Sequence, residues 1–206
     1  MTNQRTPYHH GDLRTALLAE AVTMIADGGL ESMTMRAISA RLGVSRAAPY
    51  RHFPDKSALL VAVAAAGFER LTARLQSTDA GAPRSGMGRF QRMGEEYVRF
   101  ALENPAHYRL MYGKEALTRE EVPELRQAGE DLLALLVGVI RAHQRDGQIK
   151  RGDAEALAFV AWSGVHGLAS LIIEGQIGPA NDVDELIRQT TRTLLDGLRV
   201  RHRTGA

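Results

Sequence analysis

Apolar side chains recur every three or four residues along most of this chain, and the interruptions fall where turn formers stand. The first run is Leu13, Leu17, Ala21, Met24 and Ile25, closed by Gly28-Gly29, and it reads as one amphipathic helix opening at Gly11-Asp12. Two short elements follow. Thr34 is an N-cap by type, Ile38 and Leu42 stand at i and i+4, and Gly43 can take the left-handed conformation that ends a helix. Ser45 then caps a second short helix, which Phe53-Pro54 stops because a residue before proline is pushed out of the α region. With only Gly43-Val44 between them the two helices must cross steeply, as a helix-turn-helix over about residues 34–53. Pro49 lies in the first turns of the second helix, where it should cost about one backbone hydrogen bond rather than the ~3 kcal/mol of an interior proline.

The same pattern continues to the C-terminus. Asp55 caps a helix from Lys56 to about Ser77, whose first half, Ala58 to Phe68, has no clean polar face and is the expected lever between the two ends of the chain. A loop rich in Gly, Pro and Ser, residues 78–86, precedes a helix over about Met87–Glu103 with Phe90, Met93, Tyr97, Phe100 and Ala101 on one face. Asn104-Pro105 restarts the chain as a short helix to about Tyr112. A long helix from Glu120 to about Asp146, interrupted near its start by Pro123, carries a broad stripe of Leu132, Leu133, Leu135, Leu136, Val139 and Ile140. Asp153 caps a helix to about Glu174, and Asp182 or Asp184 caps the last one, Glu185 to about Val200. The chain is therefore expected to be all-α, with about nine helices.

Charge changes the picture at one end. Residues 1–56 hold seven Lys and Arg against five Asp and Glu and so carry the whole formal charge of +2, while the remaining residues hold nineteen of each. Between Gly29 and Lys56 the basic residues Arg36, Arg41, Arg46, Arg51 and Lys56 face only Glu31 and Asp55. An anionic polymer is the natural partner. Small residues at Ala47 and Ala48 let the backbone approach base edges, and Arg46 beside them can reach guanine bidentately.

The absence of cysteine excludes disulfides, thiolate catalysis and cysteine-based zinc sites, and fits a reducing cytoplasm. Met1 to Tyr8 is polar, so no secretory signal is expected. Ala156 to Ile173 runs eighteen residues without a formal charge, long enough to span a bilayer. It nevertheless holds Ser163, His166, Ser170 and two glycines and is flanked by Glu155 and Glu174, so burial against a partner subunit is expected rather than a membrane. His9-His10 reads as part of a solvated arm, with no metal site and no cofactor expected.

The segments Thr34-Met-Arg-Ala-Ile38, Leu42-Gly-Val-Ser45, Tyr50-Arg-His-Phe-Pro-Asp-Lys56 and Ser57-Ala-Leu-Leu60 together resemble the DNA-binding domain of TetR-type transcriptional regulators, over about residues 8 to 68. The specific part is the combination of Leu42-Gly43-Val44, Tyr50, His52-Phe53 and Lys56 at fixed offsets. The resemblance implies that Thr34, Tyr50, His52 and Lys56 contact phosphates and that Arg36, Arg46, Ala47 and Ala48 face bases, with Ser45 and Arg51 on the same surface. Pro49 departs from the commoner leucine, and Ser39 stands where alanine is usual. Trp162-Ser-Gly-Val-His166-Gly167 is similar to the Trp-x-x-x-His-Gly motif of the regulatory domain in one branch of that family.

Gly164 and Gly167 each cost a helix ~1 kcal/mol relative to alanine, so close approach of another group is the expected compensation. Tyr97, Phe100, His107, Tyr108, Met111, Leu136, Trp162 and His166 have the aromatic and thioether character, with a few polar tips, of a ligand pocket; ordinary core filling is the open alternative. His143 reads as a surface or helix-end residue. Trp162, Gly164, Gly167, Leu171, Leu194 and Leu198, on the last two of the nine helices, are the expected homodimer interface, placing two heads on a near-palindromic operator in double-stranded DNA. The division is then residues 8–56 for DNA binding and 57–206 for ligand binding and dimerisation. The expected activity is that of a cytoplasmic repressor released by a small-molecule effector; an activator, or an effector-independent DNA binder, shares the same features. An all-α enzyme using His107, His143 or His166 has no nucleophile elbow, P-loop, dinucleotide fingerprint or paired carboxylates behind it.

Overall fold

A computed structural model of the chain describes residues 10–78, 88–113, 122–178 and 181–200. Among these it has eight α-helices: α1 (His10–Ser32), α2 (Met35–Arg41), α3 (Lys56–Ser77), α4 (Gly88–Glu103), α5 (Pro105–Tyr112), α6 (Pro123–Arg145), α7 (Ala154–Ile173) and α8 (Val183–Leu198). A single 3-10 turn, Pro49–Arg51, lies between α2 and α3. The arm to His9, most of the 78–86 loop and the stretch before Val122 lie outside the described residues. Two compact units result, residues 1–67 with 106–126 and residues 68–105 with 127–206.

In the first unit α1 buries the predicted stripe of Leu13, Leu17, Ala21, Met24 and Ile25, and α2 adds Met35 and Ile38. Helical geometry breaks at Gly29 (φ 74°, ψ 176°), where the pattern ends. Thr34 is extended (φ −129°, ψ 153°), and its hydroxyl oxygen accepts from the Ala37 amide at 3.1 Å. At the other end of α2, Gly43 has φ 66° and donates to Ala40 O at 3.2 Å, while Val44 donates to Ser39 O at 3.0 Å. That pair of reversed bonds is how a left-handed residue closes a helix.

The second element of the helix-turn-helix differs from the expectation. It is not an α-helix from Ser45 to Phe53 but a sequence of tight turns. Pro49 has no amide hydrogen to return to Ser45 O, which accepts instead from Ala48 at 3.0 Å. The three-residue step is repeated by Arg51 to Ala48 O at 3.3 Å and His52 to Pro49 O at 3.0 Å. The 3-10 turn itself is confined to Pro49–Arg51, with Phe53 donating to Pro49 O at 3.0 Å behind it, and the nine expected helices become eight.

In the second unit α4, α7 and α8 pack on one another. α4 buries Phe90, Met93, Tyr97, Val98 and Phe100, α7 an alanine-rich set, and α8 Ile187, Leu195 and Leu198. Asp153 and Asp182 accept from the Glu155 and Glu185 amides at 3.0 Å each, so the last helix starts at Val183. Pro123 does not interrupt α6 but opens it, where a missing amide hydrogen is no loss. Asn104 donates its side-chain amide back to Phe100 O at 2.9 Å, finishing α4 rather than capping α5. His143 stands in the last turn of α6, the helix-end place expected for it, but is not on the surface: it is 7% exposed, its Nδ1 lies 2.6 Å from Gln148 Oε1, and its ring meets Phe90 edge-on. Arg74 on α3 binds Glu96 at 2.8 Å and Glu103 through both carboxylate oxygens, which holds the Glu103 carboxyl below its usual range.

Gly164 has the compensation its position demands. A Cβ there would lie 2.6 and 2.8 Å from the Leu194 methyl carbons, whereas one at Gly167 would meet nothing within 4 Å. Gly164→Ala should therefore lose stability despite its better helix propensity, and in a Leu194→Ala background the same change should gain up to ~1 kcal/mol. Urea midpoints of the four proteins measure this, and equal effects of Gly164→Ala in both backgrounds would contradict the contact.

Candidate nucleic-acid interface and ligand site

Around the turn at Gly43 and along the tight segment after it, most polar and basic side chains reach solvent. Thr34, Arg36, Ser45, Arg46, Ala47, Tyr50 and Arg51 are exposed, while Ala48, His52 and Lys56 are half-buried. Tyr50 is 52% exposed, although an aromatic ring has ample reason to be buried. The basic residues fall into two groups. Arg41 is ion-paired with Glu20 and lies 3.7 Å from Asp27, so its charge is spent within the unit. Arg36, Arg46 and Arg51 make no ion pair among the described residues. Lys56 donates to Leu30 O at 2.9 Å, which fixes the ammonium without neutralising it. Ser39 is buried and donates to Met35 O at 2.7 Å, so the hydroxyl is accommodated where alanine is usual. Pro49 is buried beneath this surface. Beside it Arg14 stands over the Phe53 ring, 5.4 Å from its centre.

The candidate ligand residues divide between the two units. His107, Tyr108 and Met111 are buried in the first, where Met111 Sδ lies 2.8 Å from where a Cβ on Gly67 would stand. Tyr97 and Phe100 are buried in the second, with Leu136, Trp162 and His166 half-buried. Three of these are joined. Trp162 Nε1 donates to Tyr97 Oη at 2.9 Å, and Tyr97 Oη lies 3.1 Å from His166 Nδ1. The indole can only donate, so the tyrosine hydroxyl accepts from it, and a tyrosine proton directed at His166 Nδ1 is accepted there only by a neutral imidazole. Burial acts in the same direction and lowers the His166 pKa. The indole and imidazole also meet edge-on, with centres 5.8 Å apart.

Of the expected interface residues, Leu171 is exposed and Gly167 opens to space, but Gly164 is filled by Leu194 and Leu198 is 2% exposed within the protomer. Sequence reasoning missed Phe159 and Val160, which are exposed on α7, Val160 in line with Leu171. The uncharged run from Ala156 to Ile173 was the available signal. It marked an apolar helix without saying which side of it would be covered.

A basic helix-turn-helix joined to an all-helical remainder defines a DNA-binding transcriptional regulator. The sequence profile of bacterial regulatory proteins of the tetR family matches residues 17–63, and that of the tetracyclin repressor-like C-terminal domain matches residues 90–194. The chain belongs to the tetR family. An uncharacterized HTH-type transcriptional regulator of Bacillus subtilis, YobS, is 25% identical over 197 residues, covering 93% of this chain and 95% of its own length. The tetracycline repressor protein class C of Escherichia coli is 43% identical over 53 residues, 26% of this chain and 24% of its own. A solved structure of a protein with unknown function from Rhodococcus sp. RHA1 superposes with a TM-score of 0.85 at 36% identity, covering 95% of this chain and 100% of that one. Family members are soluble regulators rather than enzymes; they bind DNA operators and small-molecule effectors and act as dimers.

The neutral His166 carries a pH dependence of defined sign. Unfolded, its pKa is about 6.5, and folded it is lower, so below that pH the unfolded chain takes up a proton that the folded chain refuses. Stability should fall as pH drops from about 6.5 toward the folded pKa, and a His166→Asn variant should lose that part of the slope. The difference between wild-type and variant urea midpoints from pH 7.5 to 5 reads it; a difference that stays constant would contradict the buried neutral imidazole.

Proposed function

We propose that the chain is a homodimeric repressor that leaves a near-palindromic operator when a small molecule occupies its C-terminal domain. The observation that carries this reading is the exposed surface of Arg36, Arg46, Arg51 and Tyr50, uncompensated by any carboxylate pairing among the described residues. A solvated patch of arginines beside small residues suits base edges and phosphates together. Functionally, residues 8–56 are the DNA-binding domain, and residues 57–206 serve ligand binding and dimerisation, acting in the cytoplasm and without catalysis. The similarity of the head to a tetracycline repressor supports repression.

The dimer reading rests on α7. It is long and apolar yet mostly unburied, and Val160 is 56% exposed. A second copy on that face would cover an apolar stripe that a soluble protomer otherwise leaves in water. Release follows from a population shift: the effector favours the conformer whose two heads no longer match successive major grooves, about 34 Å apart. Tyr97, Trp162 and His166 supply polar tips for such a ligand within an apolar setting.

Arg46→Ala should weaken specific binding by ~1 to 3 kcal/mol and relax base preference, whereas Lys56→Ala should weaken all sequences alike and lower the salt slope by about one. Fluorescence anisotropy against duplexes tiled upstream of the protein's own gene, with scrambled competitor at fixed salt, measures both. An unchanged specificity ratio for Arg46→Ala would remove Arg46 as a base reader. Separately, Val160→Glu with Leu171→Glu should yield monomers in analytical ultracentrifugation and abolish operator binding; a dimer unaffected by both charges would place the interface elsewhere.

A further inference from the structure

The ends of α6 and α8 meet across the connection before α7. Ile149 and Arg199 form an antiparallel bridge, with Lys150 N donating to Leu198 O at 2.9 Å and Val200 N to Gln148 O at 3.1 Å. Gln144 ties the connection down from the side, donating to both Lys150 O and Gly152 O at 3.1 Å. These bonds frame a half-open cleft of about 740 Å³. Arg145, Lys150, Arg151 and Arg199 all line it, and among the described residues no carboxylate does.

Helix-end electrostatics account for part of this. Arg145 stands in the last turn of α6, and Lys150 Nζ donates to Gly197 O at 3.2 Å, both places where unpaired carbonyls attract a cation. Arg199 is held by Asp196 at 3.2 Å. Arg151 has no such role, and neither Arg145 nor Arg151 makes an ion pair among the described residues. General basicity does not explain the cluster either, since residues 57–206 contain equal numbers of acids and bases. Beside the ion-paired Arg199, three further cations, Arg145, Lys150 and Arg151, line one pinned frame, and a cleft lined by one sign of charge focuses its field on whatever enters.

We propose that this cleft is a binding site for a small phosphate-bearing anion, separate from the DNA-reading head. Its volume falls in the range of small-molecule sites, roughly 300–1,000 Å³, and its concave shape suits a compact anion better than a duplex. Arg145 and Arg151 supply the free planar forks for phosphate oxygens, and Lys150 a point charge at the floor.

Calorimetric titration of the full chain with tripolyphosphate at fixed low salt tests the site, using Arg145→Gln with Arg151→Gln in the cleft and Arg36→Gln with Arg46→Gln in the head. Both cleft positions are exposed, so the variant should keep the wild-type circular dichroism, melting temperature and operator affinity. Saturable binding tighter than ~1 mM, weakened about tenfold or more by the cleft pair and changed less than about twofold by the head pair, is the expected result. No saturable binding, or a loss confined to the head pair, would overturn the proposal. So would a cleft variant that loses low-salt duplex binding while keeping tripolyphosphate, which would make the cleft a nucleic-acid contact.

Discussion

The left-handed backbone at Gly43 decides where the basic side chains of the head point. Two reversed hydrogen bonds, to Ala40 O and Ser39 O, close α2 there and turn the chain within two residues. Any residue with a Cβ would resist that conformation, and a longer connection would let the following segment swing. Because the turn is short and fully bonded, Arg36 before it and Arg46 after it emerge on one surface. Arg41, between them in sequence, is instead ion-paired with Glu20 and lies 3.7 Å from Asp27.

Most helix boundaries were legible because each is written in a residue whose chemistry has a single outlet. Asp55, Asp153 and Asp182 accept from amides that a helix start leaves over, and Gly43, Gly147 and Gly175 adopt positive φ where helices stop. Proline was harder to read. Pro49 was expected to cost one bond, yet its missing amide propagated through three turns; Pro123 was expected to interrupt a helix and instead begins it. The residue is the same in both places, and the difference lies in whether its amide would have been used. The burial of His143 at its helix end was missed for another reason. Its partners, Gln148 five residues on and Phe90 on a distant helix, are set by tertiary packing that no local spacing reveals.

The candidate sites were legible to different depths. A surface that has to stay in water is written in charge, so Arg36, Arg46 and Arg51 could be read off and proved exposed. An interior polar chain is not. The sequence offered Trp162 and His166 as a pair one helical turn apart, and the rings do meet; Tyr97 stands sixty-five or more positions away, and only the packing of α4 on α7 joins it to them. Which face of α7 stays uncovered was also beyond reach, because an apolar helix without a polar stripe has no periodicity to mark its inner side.

Gly167 adds a consequence of its own. With nothing within 4 Å of its missing side chain, it leaves a notch of bare peptide on a helix otherwise clothed in side chains. Whatever lies across α7 at that point touches main-chain atoms, which have no rotamers to swing aside and no alternative chemistry to evolve. Such a contact is indifferent to most neighbouring substitutions but intolerant of a single added methyl, so the notch would act as a gauge of how closely two surfaces may approach.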